Sequence, residues 1–355
     1  MRYQSPAICL PNCLYPIHDF QVKHATFVKD QAASYEKSTC VMKILIADEM
    51  HPSLFEMLDS SGWHHDYQPN YRRNDILSNL AAYDGLIIRS KTRIDEEILA
   101  QATALQFIAR AGAGLDLIDL KATQRMGIAL FHAGEGNRDA VAEHALGMLL
   151  MLFNTLNKAD QEVRQAIWNR EGNRGVELME KTVGIIGYGN NGNATAKRMS
   201  GFDCRVLAHD RYRKNYGDKY AEEASIEVIQ READVVSLHV PLTERTRYLI
   251  NDSFISAFHK PFYLINVSRG EVVNLQSVVA GLKNGKIKGA CLDVLENEKL
   301  SQLTTPQQEA FDYLRASSQV VFSPHVAGWT HESYVRINTV LVAQISKWIS
   351  ERKKA

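Results

Sequence analysis

Three kinds of side chain that can together reduce a carbonyl stand just past apolar runs in the second half of the chain. Asn266-Val267-Ser268-Arg269-Gly270 closes one run with an arginine, and Ser323-Pro324-His325 closes another with a histidine. Asp293, Glu296 and Glu298 follow a third. A guanidinium grips a carboxylate through parallel hydrogen bonds and polarises a neighbouring carbonyl. An imidazole hands a proton to the resulting oxygen. A carboxylate beside the ring orients it and raises its pKa. No side chain supplies a hydride, so a redox cofactor is required. Singly, each residue has a structural alternative: an ion pair for Arg269, a structural histidine for His325, a solvated loop for Glu298. On one rim they form the set that reduces a 2-keto acid. Asp293 either ends its strand or accepts from a nicotinamide carboxamide, and the second is expected.

A cofactor site is written at residues 181–199. The apolar run Thr182-Val183-Gly184-Ile185-Ile186 leads into Gly187-Tyr188-Gly189-Asn190-Asn191-Gly192 and then a helical stretch. Gly187 permits the tight turn, Gly189 lets the backbone approach a pyrophosphate, and Gly192 lets helix pack on strand. The helix start offers unpaired N–H groups to the phosphates. Asp210 ends the next apolar run, at the spacing of a carboxylate that binds the ribose hydroxyls. It would repel a 2′-phosphate, so NAD is favoured over NADP, although Arg211 and Arg213 leave NADP open.

These residues need a scaffold of alternating strands and helices, which implies parallel sheets with helices on their faces. Strands are expected at 44–46, 85–88, 107–109 and 129–131, with helices at 52–58 and 95–102. A long helix over 139–156 carries Ala140, Val141, His144, Ala145, Met148 and Leu149 at helical spacing. Its apolar content covers more than one face, which suggests burial between domains or against a second subunit. A second set of strands is expected at 182–187, 204–209, 234–240, 262–267, 288–294 and 320–323, enough for a complete dinucleotide-binding domain. Asn274 can cap a helix over 275–283 and Gly285 can close it. Residues 333–354 read as an amphipathic helix that crosses back to cover the first set.

The 355 residues suffice for two domains, and 45% of them are apolar. A formal net charge of zero argues against an electrostatic nucleic-acid binder. No apolar run approaches membrane-spanning length. The five cysteines (Cys9, Cys13, Cys40, Cys204, Cys291) are odd in number and fit a reducing, cytoplasmic compartment better than a disulfide framework. Cys9 and Cys13 with His18 and His24 match no zinc spacing, and no metal is expected. Residues 1–41 lack a clean period and the pattern of a secretory signal. They are expected to be a poorly ordered extension or a mis-assigned start, with Met42 opening the first strand.

The motifs, taken in order, resemble the D-isomer-specific 2-hydroxyacid dehydrogenases, the family that includes D-3-phosphoglycerate dehydrogenase. The matching segments are Gly112-Ala113-Gly114-Leu115-Asp116, Val141-Ala142-Glu143, Gly187 to Gly192, His239-Val240-Pro241-Leu242-Thr243, Asn266 to Gly270, Leu292-Asp293-Val294 and Ser323 to Gly328. The resemblance spans about residues 43–350. It implies an α/β chain of two Rossmann-like or flavodoxin-like domains, with an NAD-binding domain (146–328) inserted into a split substrate domain (42–145 plus 329–355). It implies Arg269, Glu298 and His325 as the catalytic set, with Glu296 the competing acid because Lys299 stands where a proline commonly follows the glutamate. NAD contacts carry over to Gly187, Gly189, Asn190, Asn191, Gly192, Asp210, His239, Val240, Pro241, Thr246, Val267, Ser268, Asp293, Ala327 and Gly328. Asn191 occupies a position usually filled by an apolar residue. Arg89, Ala113 and Gly114 are the implied substrate contacts. Lys91 and Arg93 are expected to be a solvated loop.

The implied reaction is hydride transfer between a D-2-hydroxy acid and its 2-keto acid. Phosphoglycerate and a small acid of the glyoxylate or hydroxypyruvate type are near-equal candidates. A subunit pair through the nucleotide domain, hence a homodimer, is implied as well. With so little sequence after the last helix, serine-type allosteric control is not expected. The rival from another class is an NAD(H)-sensing, corepressor-like binding protein, which would lack Arg269 or His325 or carry a partner-binding extension.

Overall fold

The computed structural model describes residues 42–352. The expectations for residues 1–41, including three of the cysteines, lie outside the described residues. Two parallel sheets carry the chain. The first joins β1 (Lys43–Ile46), β2 (His64–Tyr67), β3 (Gly85–Ile88), β4 (Phe107–Arg110) and β5 (Ala129–His132) in the order β2-β1-β3-β4-β5. The second joins β6 (Thr182–Ile186), β7 (Arg205–His209), β8 (Glu222–Glu223), β9 (Val235–Leu238), β10 (Phe262–Asn266), β11 (Ile287–Leu292) and β12 (Val320–Phe322) in the order β12-β11-β10-β9-β6-β7-β8. Every pairing is parallel, and the central strands are buried on both faces, as parallel sheets covered by helices must be.

The expected strands are present, and two strands were not foreseen. β2 reads His64-His65-Asp66-Tyr67, an edge strand with no apolar alternation, held by pairing with β1 and by Phe55 stacking on His65 at 5.5 Å. β8 is two exposed glutamates at the opposite edge of the other sheet.

Helix Arg138–Phe153 is shorter than expected. It stops before Thr155, whose φ of 49° breaks the register, and a separate helix Leu156–Arg164 follows. One apolar face is covered by its own chain, while Met151 stays exposed. Val141, Ala145, Met148, Leu149 and Phe153 join one core with Ile185, Ile265 and Cys291 of the second sheet. Asn274 caps helix Leu275–Lys283 by accepting from the Ser277 N–H at 3.0 Å, and Gly285 follows it at φ 73°.

Helix His331–Arg352 returns to the first sheet. Ile337, Leu341 and Ile345 are buried with Ile44, Ile46, Phe107 and Ala109, and Trp348 meets Phe107 and Phe131 edge-on. The first sheet is therefore completed by the last helix. No helix among the described residues is long and apolar enough to cross a membrane.

One buried ring stores a pH dependence. His239, just past β9, turns its imidazole back along the strand to share a hydrogen bond between Nε2 and the Ser237 hydroxyl at 2.9 Å. The residue as a whole is half-buried, but Nδ1 is shut off from water without a partner. Burial pushes the ring down from 6.5 to about 3. Above pH 6.5 folded and unfolded chains both hold it neutral. Below that, the unfolded chain takes a proton that the folded one refuses until about pH 3, so stability is lost as pH falls across this window. Between pH 7 and pH 5 the loss from this ring amounts to about 2 kcal/mol. Denaturant unfolding of His239→Gln should show a shallower acid-side slope than the wild type, and identical slopes would refute the assignment.

Candidate active site

The glycine turn after β6 is shaped by close approach. Gly187 has φ 94°, and a Cβ there would lie 2.4 Å from the His239 carbonyl oxygen. A side chain is excluded both by conformation and by the next strand. Gly192 also lies tight against the turn, whereas Gly189, which precedes helix Asn190–Met199, has open space where its Cβ would be. Its backbone and the N–H groups of the first helical turn are thus accessible to an anion. Asn190 is exposed there, and Asn191 holds an enclosed Oδ1 with no partner.

Asp210, at the end of β7, accepts the N–H of Tyr188 at 3.0 Å and those of Tyr212 and Arg213 at 2.9 and 3.0 Å. The Arg213 guanidinium donates to the Tyr188 carbonyl. An accessible helix start, an orphaned amide oxygen and a fixed carboxylate one strand away fit the pyrophosphate and ribose of a dinucleotide.

Other expected cofactor residues are placed less directly. His239 presents its backbone to the turn while its ring points into the sheet. Val240 packs against Gly187. Thr246 donates its hydroxyl to the Pro241 carbonyl at 2.6 Å, closing its own loop. Val267 is buried, and the Ser268 hydroxyl donates to Asn266 Oδ1 at 2.8 Å.

The loops after β10, β11 and β12, three adjacent strands, bring the chemistry-bearing residues onto one rim. Arg269 reaches towards the first sheet. Its Nε and Nη2 donate to Asp116 Oδ2 at 2.9 and 2.8 Å, and Nη1 donates to the Ser268 carbonyl at 2.7 Å. The guanidinium lies so close over Gly114 that a Cβ there would sit 1.6 Å from Nη2. Gly270 in turn touches the Leu295 carbonyl, so the loops carrying Arg269 and Glu298 are in contact.

His325 Nδ1 meets Glu298 Oε1 at 2.8 Å. Glu296 is elsewhere: its Oε1 accepts the Leu275 N–H at 3.1 Å at the start of helix Leu275–Lys283, and burial pushes its carboxyl up. Of the two competing glutamates, Glu298 is the one beside the histidine.

Asp293 anchors its neighbouring loop. Its side chain is fully buried. Oδ1 accepts from the Ser323 hydroxyl at 2.6 Å and the Val326 N–H at 2.9 Å, and Oδ2 accepts from the Ala327 N–H at 3.0 Å. The Asp293 carbonyl also takes the His325 N–H at 2.7 Å. Burial alone would raise its pKa. Hydrogen bonds from His144, Ser323 and the two N–H groups outweigh that and hold the carboxyl below its ordinary range. The carboxylate holds the loop that carries His325, whose φ of 56° lies in the left-handed region. Ala327 is buried beneath it, and the Gly328 carbonyl accepts from the Ser333 hydroxyl at 2.8 Å.

On the first sheet, Arg89 stacks over Trp329 at 3.7 Å and donates to the Tyr334 hydroxyl at 2.6 Å. Ala113 and Gly114 form the turn beneath Arg269.

Three residues in the neighbourhood were not foreseen. Arg110 ends β4 directly before the Gly112 turn, a position visible in the sequence. Its Nε donates to the Arg89 carbonyl at 2.9 Å, and its Nη atoms meet no acceptor among the described residues. Burial pushes its guanidinium down to about 10. Asp116, the last residue of the Gly112–Asp116 motif, is the partner of Arg269. His144, which the helical period marks only as one of a buried face, places its Nε2 2.8 Å from Ser323 Oγ and 3.5 Å from Asp293.

The arrangement offers a guanidinium for a carboxylate and an imidazole whose Nδ1 is committed to a glutamate, leaving Nε2 for proton exchange.

Comparison with known proteins gives the family. Residues 146–327 match the family model described as D-isomer specific 2-hydroxyacid dehydrogenase, NAD binding domain. A hydroxypyruvate reductase of Thermotoga maritima is 32% identical over 275 residues, covering 78% of this chain and 88% of that protein. A D-3-phosphoglycerate dehydrogenase of Archaeoglobus fulgidus is 29% identical over 309 residues, covering 86% of this chain. The chain spans 56% of that relative's length. The crystal structure of a D-lactate dehydrogenase from Aquifex aeolicus, complexed with NAD and lactic acid, superposes with a TM-score of 0.75 at 25% identity, covering 88% of this chain and 96% of that one. With a glycine turn built for a dinucleotide and a matching family model over half its length, the chain belongs to the D-isomer specific 2-hydroxyacid dehydrogenases and carries their NAD-binding domain.

Proposed function

We propose that the chain is an NAD-dependent oxidoreductase interconverting a D-2-hydroxy acid and its 2-keto acid. The observation that carries this reading is the 2.8 Å pairing of His325 with Glu298 on the rim that also holds Arg269. NADH, held at the glycine turn and Asp210, would supply the hydride. Arg269 exchanges Asp116 for the substrate carboxylate, with the turn at Ala113 and Gly114 beneath it. Glu298 holds the proton on His325 Nδ1, so that Nε2 delivers a proton to the carbonyl oxygen or takes one from the alcohol. Asp210 supports NAD over NADP. Residues 146–328 act as the cofactor domain and 42–145 plus 329–355 as the substrate domain. Closure between them excludes water from the transfer.

The finer reading is a keto acid with a second anionic group, 3-phosphohydroxypyruvate above glyoxylate, hydroxypyruvate or pyruvate. Arg110 favours it, because a half-buried guanidinium whose Nη atoms meet no acceptor among the described residues leaves a planar fork for a second anionic group. A homodimer is also part of the proposal. Past helix Arg138–Phe153 the surface exposes Leu156, Val163, Ile167 and Met179, with Trp168 80% exposed, large apolar side chains of the kind a second subunit covers.

NADH oxidation with the four keto acids tests the whole reading; absence of turnover with every one would favour the binding-protein alternative. His325→Gln should lower kcat by about a hundredfold or more while NADH binding, read by fluorescence, stays intact. Glu298→Gln should lose about tenfold or more and shift the pH profile, and wild-type rates in either would remove the assigned acid. Arg110→Met should cut kcat/KM for 3-phosphohydroxypyruvate by about a hundredfold and for glyoxylate by only a few fold; equal losses would reject the second anionic group. Trp168→Glu should convert a dimer to a monomer in light scattering, and an unchanged mass would exclude this surface as the interface.

A further inference from the structure

The first sheet winds outward from β1 to β2 on one side and to β3 on the other. In parallel sheets of this order, ligands settle beyond the carboxyl ends of the strands where the winding reverses. Beyond the carboxyl ends of β2 and β3, the two strands that flank β1, an open crevice of about 650 Å³ is lined by residues 69–73 and 91–93. It is large enough for a small metabolite.

Four cations line it: Arg72, Arg73, Lys91 and Arg93. Arg73 is committed to Asp95 at 2.9 Å and to Glu97. Lys91 Nζ donates to the Ala47 and Pro69 carbonyls at 2.6 Å each and lies 3.7 Å from Asp48 Oδ1. Asp75 accepts the backbone N–H of Arg72 at 2.8 Å rather than its guanidinium. Arg72 and Arg93 have exposed side chains that meet no carboxylate at salt-bridge distance among the described residues. Two uncommitted planar forks in one crevice are suited to the bidentate recognition of phosphate.

The crevice is tied to the rim by a single loop. Asp48 Oδ2 accepts three successive N–H groups, from Arg89, Ser90 and Lys91, at 2.6, 2.9 and 3.2 Å. At one end of this clamped loop Arg89 lies against Trp329 and Tyr334; at the other, Lys91 and Arg93 line the crevice.

We propose that this crevice is a second anion site, separate from the hydride-transfer site, that binds the phosphate monoester of a small metabolite through Arg72 and Arg93. Its occupancy shifts Arg89 through the Asp48-clamped loop and so changes KM for the keto acid. The binding half stands by itself, and the KM half rests on the function proposed above.

Calorimetric titration with inorganic phosphate and with glycerol 3-phosphate separates the possibilities. Substituting R72Q and R93Q together should weaken binding of both probes by about tenfold or more, whereas R110M should leave it within a few fold. The two substitutions alter exposed side chains, and turnover without phosphate should stay at the wild-type level. Added phosphate should move KM for the keto acid in the wild type and not in the R72Q/R93Q protein. If the pair together failed to fold, R72Q and R93Q singly should each weaken the probes by a smaller factor. Undiminished binding in the R72Q/R93Q protein would overturn the proposal, as would loss of all phosphate binding in R110M, which would move the anion to the transfer site. Binding lost in R72Q/R93Q without any KM shift in the wild type would keep the site and overturn the coupling.

Discussion

The candidate site depends on one buried carboxylate. Asp293 has no contact with water, and both its oxygens are satisfied by the loop after β12. A buried charge persists only when its hydrogen bonds repay the loss of solvent, and here the donors come from the segment that must be positioned. Removing the carboxylate would leave the Val326 and Ala327 N–H groups without acceptors. It would also free His325 from a backbone conformation that an ordinary residue does not favour. The Glu298–His325 pairing is a consequence of that anchoring, because the histidine can meet the glutamate only if its own loop is held.

A second constraint operates across the cleft. Arg269 leaves the second sheet and ends on Asp116 and Gly114 of the first. The guanidinium therefore spans the two halves of the chain. Asp116 occupies the donors that a substrate carboxylate would use, so the arginine stays aligned rather than folding onto the surface. The absence of a side chain at Gly114 is what permits this approach.

Much of this was legible in residue order. The glycine turn, Asp210, Arg269 and His325 announce themselves because each follows an apolar run at a spacing with a mechanical reason. Helix Leu275–Lys283 was marked by its cap. Other features were hidden for physical causes. β2 carries no alternation, since an edge strand can be held by backbone pairing alone. The end of helix Arg138–Phe153 depends on the single left-handed residue Thr155, which sequence period does not reveal. Asp116, His144 and Arg110 gain their significance from partners far away in the chain, and spacing along one segment carries no record of such pairs. Asp293 was noticed for its place after β11, but whether a strand-end carboxylate serves a ligand or its own neighbouring loop is decided only by tertiary packing. Glu296 and Glu298 differ in the same way.

Helix His331–Arg352 seals the face of a sheet whose strands lie roughly two to three hundred residues earlier, more than the length of a typical domain. On the ribosome, Ile44, Ile46 and Phe107 emerge long before Leu341 and Trp348 exist to cover them. The later sheet, built from one continuous stretch, can become compact first, while the earlier one waits half-finished with oily strands uncovered. Closure of the first sheet therefore waits on the synthesis of helix His331–Arg352, long after its strands have emerged.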